Sequence, residues 1–250
     1  MKFKLEKLTN LHKEGRWDID YHLPAEGIKL FNKNILKPIS SAATVVKEKR
    51  DPTKKPDDEF IYLDISSVDV RTGVVSSPQD LIGSEAPSRA RKAVKAYDLI
   101  ISTCRPTRGA IAVVPEKYHN QICSTGFSVI RPKKGVNPFY LHFAIRLAST
   151  LEQFRKFSTG SSYPAILDSD VEKTLIPLPD KDTQDLIASH ILDGLKAREK
   201  AIALADSSFK LNVNTVISSL ENMSYQNLNA KFSEHTYKTD DIYSRLKTLK

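Results

Sequence analysis

The densest run of chemistry-bearing side chains in this sequence begins at Arg89 and Arg91, two residues apart in EAPSRARKAV. Alternate residues of an extended chain share a face, so the two guanidinium forks would reach the same side, where each can grip a phosphate or the O6 and N7 of a guanine. Lys92 adds a third cation, and the nearby CRPTRG brings Arg105 and Arg108 onto a turn. From Glu85 to Gly109 the basic residues Arg89, Arg91, Lys92, Lys95, Arg105 and Arg108 face only Glu85 and Asp98, which concentrates half of the net charge of +8 in 25 of 250 residues. Such a field attracts polyanions, and double-stranded DNA is the expected partner. A solvated basic strand edge is the plainer explanation of the same residues. A second loop, TGSSYPA, supplies Ser161, Ser162 and Tyr163. Its small hydroxyls and ring suit close backbone approach and phosphate or base-edge contacts, though the composition also makes an ordinary turn.

Catalytic and metal chemistry is harder to assemble. NPFY, residues 137–140, has a superficial likeness to the (D/N/S)PP(Y/F) motif of amino-group DNA methyltransferases but lacks the second proline. The nine glycines include no GxGxxG-like run for the cofactor of such an enzyme. Asp64 and Asp69, or Asp168 and Asp170, lack the acidic-x-Lys strand of a nuclease metal site and read as turns and caps. No P-loop spacing occurs. His119, His142 and His190 are isolated, and Cys104 and Cys123 have no CxxC or histidine at metal-ligand spacing, so reduced, buried thiols are expected. No nucleophile, base and orienting group combine from local motifs. The expectation is a binding protein with no catalytic residue, no metal and no cofactor of its own.

The elements that must position these residues follow from periodicity. At 250 residues and 40% hydrophobic, the chain suits one large or two small globular units. No run is long and apolar enough for a membrane span or a signal peptide, so a soluble, cytoplasmic protein is expected. GRWDIDYHLP reads as an N-terminal arm, the segment around Ile28, Leu30, Phe31, Ile35 and Leu36 as an amphipathic helix, and KEKRDPTKKPDDE as an exposed loop too polar to pack. From Phe60 short apolar runs alternate with turn residues: FIYLDISSV, TGVVS, DLIIST, AIAVVP and STGFSVIRP predict a mostly antiparallel β unit. Asn137 and Pro138 fit the N-cap and first position of one amphipathic helix carrying Phe143, Leu147, Leu151 and Phe154. TLIPLP, with two prolines, cannot be a central strand and ends the unit near Pro179.

Beyond it, residues 182–220 contain no proline and one glycine, and Ala188, Leu195, Ile202, Phe209 and Val216 recur every seven residues. Ile191, Leu192, Val213, Ile217 and Leu220 widen the stripe at its ends, while Arg198, Asp206 and Asn212 interrupt its middle. A helix of about 37 residues would extend roughly 55 Å and needs a partner helix. Folding back onto its own β unit is the alternative. The polar remainder ends in DDIYSRLKTLK, where Ile242, Leu246 and Leu249 fit one short amphipathic helix.

Three blocks, FIYLDISSVDVRTGVV, GSEAPSRARKAVKAYDLIISTCRPTRG and ICSTGFSVIRPKKG, closely resemble the target recognition domain of type I restriction-modification specificity subunits. The resemblance runs from about residue 15, with RWDIDYHLP, through YLHFAIRLAS, the Gly160 loop and IPLP, to the long helix bearing Gln184. It implies an α/β (α+β) recognition domain over residues 1–180 with a mostly antiparallel β core, a coiled-coil-forming spacer helix over 181–222, and a polar tail over 223–250. It also implies that catalysis belongs to partners: a methyltransferase subunit, which would bind S-adenosylmethionine, and a restriction subunit. Full-length members have two recognition domains and two long helices; this chain has one of each and looks like half a subunit, either a natural or truncated half that dimerises or a fragment.

The stripe of Ile191, Leu195, Ile202, Phe209, Val216 and Leu220 supports a homodimer on geometry alone. Two antiparallel helices have a twofold axis perpendicular to their length, which sets identical domains at opposite ends, and paired DNA half-sites share such an axis. The expected target is a split palindrome with half-sites at least about one helical turn, 34 Å, apart. Competing readings are a coiled-coil assembly module without DNA specificity and a stand-alone DNA methyltransferase or nuclease.

Overall fold

The computed structural model describes residues 7–160 and 162–221. Ser161 and the short helix expected at Ile242 lie outside them. The chain runs through α1 (Leu8–Glu14), α2 (Ile19–His22), β1 (Leu36–Pro38), α3 (Ile39–Ala42), β2 (Ala43–Val45), β3 (Glu59–Leu63), β4 (Val68–Asp69), β5 (Val74–Val75), β6 (Gln79–Ile82), β7 (Ala90–Val94) and β8 (Leu99–Ser102). It continues through β9 (Ile111–Val113), β10 (Gln121–Ser124), β11 (Phe127–Pro132), α4 (Pro138–Ile145), α5 (Ala148–Phe157), α6 (Asp168–Lys173), β12 (Leu175–Pro177) and α7 (Lys181–Glu221). Two compact units result, Met1–Asp193 and Gly194–Lys250.

The first unit is layered. One four-stranded sheet has the order β6-β3-β10-β7 and the other β2-β11-β8-β9. Every pairing in them is antiparallel except β3 with β10, where Tyr62 lies beside Ile122. Side chains alternate across a strand, and β8 shows the result. Leu99 and Ile101 join Ile111 and Ile130 beneath helices α3 to α6, while Ile100 turns the other way to meet Phe127, Val129, Leu63 and Cys123 between the sheets. All four β8 residues are buried, as a strand covered on both faces requires. Phe60, Tyr62, Ala90 and Ile122 form a third cluster on the outer face of the first sheet. The prolines of the TLIPLP stretch are accommodated because β12 pairs only with β1, away from both large sheets.

Three expectations are corrected. The residues around Ile28 make a single 3-10 turn, Ile28–Leu30, with Leu30 fully exposed and Leu36 already starting a strand. Only five apolar positions support a helix there, too few to outweigh the pairing of β1 with β12. The one helix expected after Asn137 is two: Leu147 adopts an extended conformation that breaks the run, leaving Phe143 partly exposed. The guanidinium of Arg146 at the break donates to the carbonyls of Gly109, Val70 and Arg71, long-range bonds that helical periodicity cannot register. KEKRDPTKKPDDE does pack, since Pro52 within it is buried. Asn137 does cap α4, its Oδ1 accepting from the amides of Phe139 and Tyr140. That commits the NPFY asparagine to structure.

The first turns of α7 belong to this unit. Gln184 and Ala188 are buried, and Gln184 Oε1 accepts from the Asn137 amide at 3.1 Å while its Nε2 donates to Pro179 O at 2.8 Å. Asn137 Nδ2 donates to Asp185 at 2.7 Å, so the cap of α4 and the start of α7 fix each other.

His142 of α4 is buried, with Nε2 3.0 Å from Ile111 O; a carbonyl only accepts, so Nε2 carries a proton. Burial first, then the nearby Arg146 cation, pushes its pKa down to about 4. Gly73 sits at φ +71°, where a Cβ would collide with that ring. A histidine depressed from 6.5 to about 4 contributes stability that is complete above pH 6.5 and is lost as pH falls towards 4. The expected loss is on the order of 3 kcal/mol. Urea unfolding at pH 7.5 and 4.5 should show it, and an isosteric apolar replacement of His142 should flatten the difference.

Candidate nucleic-acid interface

The loops that carry the sequence-predicted residues meet at the ends of β7, β8 and β10. Backbone hydrogen bonds lace them together. Thr125 N donates to Arg89 O at 2.8 Å, Thr103 N to Gly126 O at 2.8 Å, Ile166 N to Thr103 O at 3.0 Å, and Arg105 N to Pro164 O at 2.7 Å. Thr103 Oγ1 donates to the same Gly126 carbonyl at 2.9 Å. Four segments far apart in sequence thereby become one surface carrying Arg89, Thr125, Arg105, Ser162 and Tyr163.

Arg105 is its most constrained member. It adopts φ 48°, ψ 53°, a left-handed conformation costly for a residue with a Cβ, directly before Pro106. The guanidinium lies 4.7 Å from the centre of the exposed Tyr163 ring, a cation–π contact that holds the fork in one orientation while its edge stays open. Arg108 ends the 3-10 turn Pro106–Arg108 and is exposed, with Gly109 at φ +73° closing the turn. Gly160, at φ +89°, brings its own loop within 3.1 Å of the Tyr163 carbonyl for any added Cβ. Arg89, Arg105 and Arg108 take part in no ion pair among the described residues, so their charge faces solvent uncancelled.

Arg91 and Lys92 are differently disposed. Arg91 turns back, its Nη1 donating to Pro87 O at 3.2 Å and Ala90 O at 2.8 Å and its Nη2 3.6 Å from Asp51. Lys92 Nζ donates to Phe127 O at 2.6 Å across to the second sheet. Both are half-buried, and their polar groups are occupied by the domain. Thr103, Thr125 and Gly126 were passed over in the sequence; their signal is the short polar stretch that ends each strand beside a basic loop.

Elsewhere the carboxylates serve turns. Asp69 accepts from the Arg71 amide and the Thr72 hydroxyl, and Asp170 from the Leu167 amide. Burial pushes the Cys123 thiol up to about 12, which keeps it protonated and unreactive, whereas Cys104 is only half-buried. Among the described residues no three His, Cys, Asp or Glu side chains converge to hold a metal, and no helix is long and apolar enough to cross a membrane.

A two-sheet α/β domain that gathers uncancelled arginines on laced loops and continues into a long helix has the build of a nucleic-acid recognition module. The family model described as the type I restriction modification DNA specificity domain matches residues 43–205, and the chain belongs to that family. The HindI type I restriction enzyme specificity subunit of Haemophilus influenzae is 32% identical over 116 residues, 45% of this chain and 24% of that protein. The HsdS subunit from Thermoanaerobacter tengcongensis superposes with a TM-score of 0.59 at 35% identity, over 74% of this chain and 47% of that one. The type I S subunit from M. genitalium, at 15% identity and a TM-score of 0.52 over 80% of this chain and 50% of that one, shares the fold. The chain thus spans about half the length of the solved structures it matches, and about a quarter of the curated subunit.

Replacing Arg105 by glycine removes the left-handed penalty and the guanidinium together. The thermal midpoint of Arg105→Gly should equal or exceed that of the parent, because about 1 kcal/mol of strain relief offsets glycine's added entropy. A clear fall in the midpoint would mean that the Tyr163 contact holds the domain together rather than presenting a fork.

Proposed function

We propose that this chain is the non-catalytic DNA-reading component of a type I restriction-modification complex, acting as a half subunit whose second copy completes a bipartite reader. The observation that supports this most is the union of a single family domain with a 41-residue helix whose apolar side chains beyond Ala188 are largely uncovered. Ile202, Phe209, Val216 and Leu220 are all exposed, with Phe209 at 71%, and Ile191 and Leu195 are half-exposed. Leu204 and Leu211 add apolar surface beside the seven-residue stripe. A second α7, antiparallel to the first, would cover this face and set two sets of reading loops about a twofold axis.

On this reading the base-reading side chains are drawn from Arg89, Arg105, Arg108, Ser162 and Tyr163. Arg91 and Lys92 support the loop from beneath. The methyltransferase subunit supplies S-adenosylmethionine and the chemistry, and the restriction subunit joins that assembly.

Light scattering of the purified chain, alone and with the methyltransferase, should give a mass containing two copies. Ile202→Asp with Phe209→Asp removes four buried side chains per dimer, each contributing about 1.5–3 kcal/mol, and should weaken association by roughly 10⁴-fold or more. The thermal midpoint of the globular unit should not move. Methylated adenines mapped in cells with and without the chain should define a split palindrome; an asymmetric site, or a monomer in both preparations, would overturn the proposal.

A further inference from the structure

The polar segment KEKRDPTKKPDDE, residues 47–59, is held far more firmly than its composition requires. It runs antiparallel along the outer edge of β7: Ala93 N donates to Glu48 O at 3.1 Å, Arg50 N donates to Arg91 O at 3.1 Å, and Lys49 bridges to Lys92. It then folds over the outer face of the first sheet through the 3-10 turn Pro52–Lys54. There Gly83 N donates to Asp58 O at 3.0 Å and Ser84 N to Pro56 O at 2.9 Å. Gly83 is the one residue that fits, since a Cβ would collide with the carbonyls of Lys55 and Pro52.

The charges at the start of this segment are sorted. Glu48 lies 3.5 Å from Lys95 and 3.8 Å from Arg131, and Asp51 lies 3.6 Å from Arg91, so both carboxylates are taken up by the domain; further on, Asp58 pairs with Lys55 of the same segment at 3.0 Å, and Asp57 and Glu59 are exposed and take part in no ion pair among the described residues. Lys47, Lys49, Arg50 and Lys54 are exposed and take part in no ion pair among the described residues. Lys49, Arg50 and Lys54 rim a cleft of 430 Å³ with the buried Phe60 and Ile122 at its base; Asp51, Asp58 and Glu59 also line it. The row is continuous with the candidate interface. Arg50 is hydrogen-bonded to Arg91, two residues along β7 from Arg89, a distance of about 6.6 Å in an extended chain.

We propose that Lys47, Lys49, Arg50 and Lys54 form a preset phosphate-binding ridge that carries the DNA backbone along the β7 edge and sets the register of the reading loops. The proposal rests on the DNA-reading function. Its expected contacts are to phosphate, because three of its four cations are lysines, whose compact ammonium binds phosphate as a point charge without the fixed fork of a base-reading arginine.

The test is titration of the full chain with duplex DNA over a range of salt concentrations. The combined variant Lys47→Ala, Lys49→Ala, Arg50→Ala and Lys54→Ala should lower the slope of log K against log salt by roughly 2 to 4, at about 0.9 per phosphate contact. It should weaken binding at least about tenfold at low salt, equally for target and non-target duplexes. A control of equal charge change, with Lys29, Lys33, Lys37 and Lys134 replaced by alanine, should leave the slope unaltered. Restoring Lys47, Lys49 and Lys54 as arginine, with Arg50 native, should recover it. An unchanged slope in the ridge variant while the parent binds DNA, or an equal loss in the control, would overturn the ridge and leave the DNA-reading function standing. A parent chain that binds no duplex, even with the methyltransferase, would remove both.

Discussion

A surface loop has no hydrophobic core, so its backbone polar groups must be satisfied by other loops, and Thr103 is where this domain meets that requirement. Its amide and hydroxyl both donate to Gly126 O, and its carbonyl accepts from Ile166. One residue thus joins the end of β8 to the β10–β11 turn and to the segment that carries Tyr163. Each bond contributes only about 1 kcal/mol net, but an unmade one in a partly buried site costs more, so the arrangement is cooperative. The exposed arginines owe their positions to this lacing, and the left-handed strain at Arg105 persists because the surrounding bonds leave that residue no alternative.

The sheets beneath are built to tolerate such a surface. β8 and the first four residues of β11 are buried on both faces, one towards the helices and one towards the other sheet, and their largely apolar runs make them the most legible strands in the sequence. The Asn137 cap and the heptad stripe were equally legible, because capping and seven-residue spacing are local rules. Less visible were features fixed by distant partners. The division of α4 from α5 depends on the Arg146 guanidinium reaching Gly109 and Val70. The 28–36 segment yields to strand pairing with residues 175–177.

For the site, Arg89, Arg105 and Tyr163 could be named from residue type and turn context, but their convergence could not. It runs through backbone bonds between positions tens of residues apart. Arg91 looks the same as Arg89 in sequence, yet its neighbours Pro87, Ala90 and Asp51 consume its fork. Residues 47–59 differ in the opposite sense, since their high polarity predicts a loop without packing. Gly83, 24 or more residues away, is what allows that loop to lie down.

The exposed face of α7 ties structural order to supply. From Gly194 to Glu221 almost every residue is exposed, so this stretch lacks the tertiary packing from which helices in proteins draw most of their stability. Covering the face adds the apolar contribution that intrinsic helix propensity does not provide, and mass action makes the covered fraction depend on how much partner is present. The globular unit has its own core and needs no such help. If the covering partner is a second copy, as proposed, a cell producing little of this chain would hold folded globular units on frayed supports, and the paired assembly would rise more steeply than the protein itself as expression increased.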